Sequence, residues 1–220
     1  MSGNPYEADL LASGPMHPGG ARLTARALRL AGLRGGMRVA DIGCGAGETA
    51  RFIAETYPDT DVTGLDISEK LIERARKSNN TSAQFICVDV REGLPLAPAR
   101  LDAAVVECAL SAIGDAPRVL ANIALALKPG GRLIVSDIYA KQPSGIADTR
   151  QELCEKLASA GFTVLHEEDH TAALVTYVAE MYERGAACCE PFCRFAGTPR
   201  PGYVLLICKK EAAHAENDAR

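Results

Sequence analysis

The 220-residue chain reads as an α/β protein, a parallel sheet with helices packed on both faces. Three observations predict this. From Arg38 onward, short apolar runs alternate with helix-like segments, as they do when strands and covering helices succeed one another. A glycine-rich turn follows the first of these runs without a gap, and acidic residues close the next runs in succession.

Taken in order, Ser13-Gly14-Pro15-Met16-His17-Pro18-Gly19-Gly20 is dense in helix and strand breakers, so residues 1–19 are expected to form an N-terminal loop or lid. Residues 20–32 place Leu23, Ala27 and Leu30 at helical spacing. Strands are predicted at 38–42, 61–66, 84–88, 102–107 and 131–137, with helices at 47–57, 68–78 and 116–127 between them. Ser68 followed by Glu69, and Asp115 ahead of Pro117, suit helix starts. A helix at 148–160 ends at Gly161, and a sixth strand follows at 162–168. A helix at 171–184 and an apolar last strand at 203–209 complete the pattern. No repeat or low-complexity linker divides the chain, so the expected organisation is one domain at 20–210 and a disordered tail at 211–220.

Composition narrows the function classes. Apolar residues make up 47% and charged residues 24%, the balance of a protein that folds in water. The net charge of −4 and the scattered basic residues argue against a nucleic-acid partner. The first ten residues lack a basic cluster followed by an apolar run, and acids interrupt every long apolar stretch. The expectation is a cytoplasmic protein without a membrane span. In that compartment eight cysteines are reduced thiols rather than a disulfide framework. Cys44, Cys87, Cys108, Cys154 and Cys208 stand alone and read mostly as small buried side chains.

The chemistry is concentrated at Val39-Ala-Asp41-Ile-Gly43-Cys44-Gly45-Ala-Gly47-Glu48. Glycines there let the backbone turn sharply and approach a ligand with no Cβ in the way. A dinucleotide fingerprint would need glycine where Glu48 stands, and a carboxylate in the first helical turn opposes a pyrophosphate. A nicotinamide oxidoreductase is disfavoured on that ground. Asp66, Asp89 and Glu107 lie at the predicted ends of strands two to four and converge on one crevice. Asp66, 25 residues beyond Asp41, suits a ribose diol; Asp89 suits an exocyclic adenine amine; Asp41 suits an ammonium group, directly or through water. Together they imply a cationic ligand with adenosine and amino-acid parts.

Over residues 19–209 the chain resembles class I S-adenosylmethionine-dependent methyltransferases, most clearly in Asp41-Ile-Gly-Cys-Gly-Ala-Gly47, Gly64-Leu-Asp-Ile-Ser68 and Leu127-Lys-Pro-Gly-Gly131. The last is similar to the branch of ubiquinone/menaquinone-biosynthesis and arsenite methyltransferases. The resemblance implies S-adenosylmethionine as cofactor and a Rossmann-like seven-stranded sheet in the order 3-2-1-4-5-7-6, its last strand antiparallel. It implies Gly43, Gly45 and Gly47 under the methionine part, Cys44 and Asp41 in the same cofactor site, and Asp66 with Ile67 on the ribose and adenine. Asp89 with Val90 would flank the adenine, and Glu107 with Cys108 would adjoin the sulfonium.

Two departures from the pattern concern the acceptor. Residues 138–147 are a short connection where many relatives hold acceptor-binding structure, whereas 170–201 form an insertion with a helix and a cysteine-rich stretch. Cys188, Cys189 and Cys193 crowd together in it. They read as three unremarkable thiols, as ligands for a soft acceptor such as trivalent arsenic, or as redox or structural-metal groups. His166 or His170 could add a fourth ligand to zinc, although the spacing matches no zinc pattern, and no metal is expected. A thiolate or metalloid acceptor needs no strong base. A hydroxyl or carbon acid does, and Glu107 and His17 are then the candidates, against plainer roles as polar lining and loop cap. The expected function is methyl transfer to a small molecule, in which the protein mainly aligns donor and acceptor, a contribution of up to roughly 7–11 kcal/mol. The alternatives are a cofactor-binding sensor without turnover and a thiol-based metal- or metalloid-binding protein.

Overall fold

A computed structural model describes residues 17–143, 147–183 and 201–212. Helix α1 (Gly20–Leu30) precedes β1 (Arg38–Ile42), and α2 (Glu48–Thr56), β2 (Asp61–Asp66), α3 (Glu69–Lys77) and β3 (Gln84–Cys87) follow. After β4 (Leu101–Glu107) come α4 (Leu110–Ile113), α5 (Ala116–Ala126), β5 (Leu127–Tyr139), α6 (Arg150–Ser159), β6 (Phe162–Asp169), α7 (Thr171–Glu183) and β7 (Gly202–Lys210). The sheet order is β3-β2-β1-β4-β5-β7-β6, with β7 antiparallel to both neighbours and the other pairs parallel. The predicted topology is therefore the observed one.

Alternation along the central strands explains why both faces carry helices. In β4, Ala104 and Val106 join the core under α5 and α6, built on Val119, Leu120, Ile123, Leu153 and Leu157. Ala103 and Val105 point the other way, into the core under α1, α2, α3 and α7, with Leu28, Ile53, Ile72 and Leu174. A strand buried on both faces needs a continuous apolar run, and residues 103–106 supply one.

Local chemistry sets the helix ends. Ser68 caps α3 by accepting the Leu71 N–H at 3.3 Å. Thr149 and Glu152 form a reciprocal capping box on α6, a Thr-x-x-Glu signal that the sequence reading missed. Gly161 takes a left-handed φ of 82° after α6. Asp115 does precede α5, but its side chain makes no capping bond.

Three expectations need correction. Strand β5 begins at Leu127 rather than 131: Leu101 pairs with Leu127 and Ala103 with Arg132, so Lys128–Gly131 loop out as a bulge inside the strand. The short helix α4 was not anticipated. Cys87 is exposed at the end of β3, whereas Cys44 and Cys208 are buried as expected.

Gly202, at the start of β7, lies opposite Tyr139 of β5. A Cβ there would fall well inside van der Waals contact of the Tyr139 ring, which is buried and whose hydroxyl donates to Asp169 at 3.0 Å. Gly202→Ala is expected to lower unfolding free energy by about 1–3 kcal/mol, read from urea denaturation, with the secondary structure retained.

Candidate functional site

The turn between β1 and α2 is nearly bare backbone. Gly43, Gly45 and Gly47 have φ of 71°, 53° and 83°, which L side chains rarely adopt. A methyl group on Gly43 would stand 2.5 Å from the Ala109 Cβ, and one on Gly47 would stand 2.5 Å from Phe85. The amides of Gly43 and Cys44 donate to the Leu65 carbonyl at 2.7 and 3.0 Å. Gly45 N–H donates to Asp66 Oδ2 at 2.9 Å, and Arg51 Nη1 donates to the Ala46 carbonyl at 2.8 Å. Glu48 pairs with Arg51. Its charge is thereby balanced, so the departure from a dinucleotide fingerprint is one of glycine spacing rather than net repulsion.

Four acids stand where the strands end on this side. Asp41 is buried, and its Oδ2 has no hydrogen-bond partner. Burial holds its carboxyl well above the usual range, with further push from the charges of Glu107 and Asp66 and a bond from the Ala50 N–H acting against it. Asp66 accepts from the backbone of Gly45 and, at 2.8 Å, of Ser68; burial raises its pKa while those bonds oppose the rise. Asp89 is different. Arg91 grips it through Nη2 at 2.6 Å and Nε at 2.9 Å, and this bond holds it below the ordinary carboxylate range. Asp89 meets any ligand already paired with Arg91. Beside these, Ile67 is exposed and Val90 is buried in the core.

Glu107 sits beneath α1 and α2. Thr24 Oγ1 lies 3.1 Å from each of its oxygens, Thr49 Oγ1 donates to Oε2 at 2.8 Å, and His17 Nε2 stands 3.4 Å from Oε2. His17 is itself buried, its Nε2 3.1 Å from Thr24 Oγ1. The two candidate bases are therefore brought together, and Thr24 and Thr49, which the sequence reading did not single out, join them. Cys108, the next residue, takes a left-handed φ of 53° and donates its N–H to the Ser136 carbonyl at 2.7 Å. Such backbone in a non-glycine residue is strained and collects at functional sites. Burial pushes the Cys108 and Cys44 thiols well up, so both are neutral.

Asp137, at the end of β5, was also missed. Buried, it accepts from the Ser111 N–H and hydroxyl at 2.9 and 2.6 Å and thereby ties α4 to β5. Burial raises its pKa against those bonds. Beside it a cavity of about 260 Å³ is lined by Leu110, Ser111, Ile138, Leu153 and Lys156 among others. His166 and His170 both face Glu168, which Arg26 also grips. Among the described residues no cluster of histidine, cysteine and acid could hold a metal, and Cys188, Cys189 and Cys193 lie outside those residues.

The fold and this crevice define an open α/β protein of the kind that receives its ligand at the carboxyl edge of the sheet. The methyltransferase domain family matches residues 33–185. The 27-O-demethylrifamycin SV methyltransferase of Amycolatopsis mediterranei is 36% identical over 86% of this chain and 83% of its own. An O-methyltransferase of Pyrenophora dematioidea is 33% identical over 59% of this chain. The chain spans 50–61% of the length of that protein and of two other fungal O-methyltransferases it matches. Among solved structures, an S-adenosylmethionine-dependent methyltransferase from Mesorhizobium loti superposes with TM-score 0.62 at 25% identity, covering 84% of this chain and 96% of that one. The [4+2]-cyclase SpnF superposes with TM-score 0.70, also at 25% identity, covering 87% and 81%. The chain belongs to the class I S-adenosylmethionine-dependent methyltransferases. Among its described residues no helix is long and apolar enough to cross a membrane.

The raised pKa of Asp41 has a sign that can be tested. The fold prefers the neutral carboxyl, so the contribution of Asp41 to stability is fully present below the unfolded value, near 3.9, and is lost as pH rises through the folded value. Without ligand, Asp41→Asn should therefore melt higher than wild type at alkaline pH, by about 2–4 °C per kcal/mol recovered, and the gap should close in acid. Asp137 acts with the same sign in both proteins and cancels, while loss of the Asp41 charge also relieves its repulsion with Asp66 and Glu107, which widens the alkaline gap in the same direction. Scanning calorimetry from pH 4 to 9 checks it.

Proposed function

We propose that the crevice binds S-adenosylmethionine and that the protein transfers its methyl group to an acidic oxygen of a small molecule, a phenol or carboxylic acid. One observation carries the cofactor reading: a buried carboxylate oxygen, Asp41 Oδ2, without a partner beside a turn stripped of side chains. A buried acceptor of this kind is costly unless a ligand fills it. The bound cofactor supplies a methyl group already activated on a positively charged sulfur. Gly43, Gly45 and Gly47 admit its amino-acid part, Asp66 and Ile67 serve the ribose and adenine, and Asp89 and Val90 flank the adenine. Cys44 packs beneath the turn, and Glu107 and Cys108 border the reacting end.

The acceptor class follows from the residues at that end. The Glu107 carboxylate is held by the hydroxyls of Thr24 and Thr49 rather than turned toward the cavity beside Asp137. His17 is spent on the same network. An acceptor that ionises readily needs neither. The cavity beside Asp137 lies next to the residues that follow Cys108, and its 260 Å³ falls just under the roughly 300–1,000 Å³ of sites for drug-sized ligands. Relatives named as O-methyltransferases support an oxygen acceptor. A thiol or metalloid acceptor would rest on Cys188, Cys189 and Cys193, since Cys44 and Cys108 are neutral thiols.

The test is S-adenosylhomocysteine release from S-adenosylmethionine with phenols, carboxylic acids, alkyl alcohols, small thiols and arsenite in parallel. Turnover is expected with a phenol or carboxylic acid, at the same rate when the three clustered cysteines are replaced by serine. Turnover with arsenite or a thiol, lost in that triple variant, would transfer the acceptor to the soft class. Cofactor binding with no turnover on any acceptor would favour a sensor.

A further inference from the structure

The network around Glu107 is more elaborate than a polar lining requires. Its carboxylate lies at the tip of β4, and the register of Asp41 with Val105 puts Glu107 level with Gly43, the first residue past the neighbouring strand. Thr49, in the first turn of α2, donates to it from the far side of the glycine turn. On the near side stand Thr24 of α1 and His17 of the preceding loop.

Donor arithmetic assigns the protons. His17 Nδ1 faces the Pro18 carbonyl at 3.1 Å, and a carbonyl only accepts, so Nδ1 carries hydrogen. The single Thr24 hydroxyl proton is shared between the two Glu107 oxygens. The oxygen of Thr24 is then left to accept, and His17 Nε2 stands 3.1 Å from it. The alternative turns an Nε2 lone pair toward Glu107 Oε2 at 3.4 Å and removes the Thr24 proton from the carboxylate. Acceptor capacity is nonetheless left over. Glu107 Oε1 has only half of the Thr24 proton, and Asp41 Oδ2 has none. Two neighbouring carboxylates with vacant lone pairs suit a group with several N–H donors; a sulfonium has no hydrogen on sulfur to give.

We propose that His17 is a positioning residue, which through Thr24 fixes Glu107 over the glycine turn as the second carboxylate, beside Asp41, for the ammonium group of the cofactor. The assignment rests on the cofactor reading above. The electrostatic coupling of Asp41 to Glu107 agrees with their adjacency. The loop carrying His17 is thereby tied to the amino-acid end of the ligand rather than to the acceptor.

Calorimetric titration of the full chain with S-adenosylhomocysteine, S-adenosylmethionine and 5′-methylthioadenosine tests this. The last compound keeps the adenosine and lacks the amino-acid part. His17→Ala should weaken both amino-acid-bearing ligands about tenfold, the loss expected for one charge-assisted hydrogen bond, and leave 5′-methylthioadenosine within about twofold. His17→Gln keeps an N–H donor and should recover most of the loss. Thr24→Val breaks the same link without touching the loop and should reproduce His17→Ala, so the test survives if that variant fails to fold. Equal weakening of all three ligands, or of none, overturns the proposal. Weakening of S-adenosylmethionine alone would place Glu107 against the sulfonium and overturn the ammonium assignment. A wild-type chain that binds none of the three would sink the cofactor reading itself.

Discussion

Between β1 and α2 the main chain passes within van der Waals reach of two other elements at once. Gly43 faces Ala109 beyond β4, and Gly47 faces Phe85 of β3. No side chain larger than hydrogen fits at either point, so the spacing of three strand ends depends on glycine here. Asp66 and Arg51 then fasten the turn from outside, one taking the Gly45 N–H and the other the Ala46 carbonyl. The result is a rigid ring of backbone at the sheet's carboxyl edge, where open α/β folds receive their ligands.

Around that ring the protein gathers negative charge in a place that stability alone would not choose. Asp41, Asp66 and Asp137 are each pushed up by burial, and Asp41 also feels Glu107. Where the acid has a structural duty, donors surround it: Ser111 twice on Asp137, Thr24 and Thr49 on Glu107, two backbone amides on Asp66. Asp41 Oδ2 is the exception. A buried polar atom left unsatisfied while its neighbours are so carefully supplied is the feature on which the proposed ligand site rests.

How much of this could be read from the chain depends on distance along it. The strands were legible because β-branched and apolar runs end in glycine or acid at the sheet edge, whereas their order came from the resemblance to the methyltransferase family. The glycine turn, Asp66 and Ser68 were legible because their partners are local. Strand β5 was cut short because Lys128-Pro-Gly-Gly131 has turn composition, although it is a bulge within a continuing strand. Thr149 with Glu152 was a readable signal that was overlooked. Asp137 looked like the polar end of an apolar run, with nothing to show that Ser111 would bind it. Thr24 and Glu107 are separated by 83 residues, and no local pattern announces such a pair. His17 was singled out for its residue type, but its partner came only with the packing of α1 on the sheet edge.

The shared fold settles the ligand edge more firmly than it settles the reaction, since a cyclase and a methyltransferase superpose on this chain about equally well. What distinguishes one chemistry from another must lie in the segments added to the sheet. After β4, the strained Cys108 turns the chain into α4, and Asp137 clamps α4 against β5 through Ser111. That clamp forms one wall of the cavity, and Leu153 and Lys156 of α6 form another. Both walls are anchored to the same strand ends that hold the glycine turn. On the proposed function, acceptor cavity and cofactor crevice would share these strand ends, and in-line transfer demands that kind of fixed alignment of donor and acceptor. Selectivity can then vary through α4 and α6 while the glycine turn, Asp41 and Glu107 stay as they are.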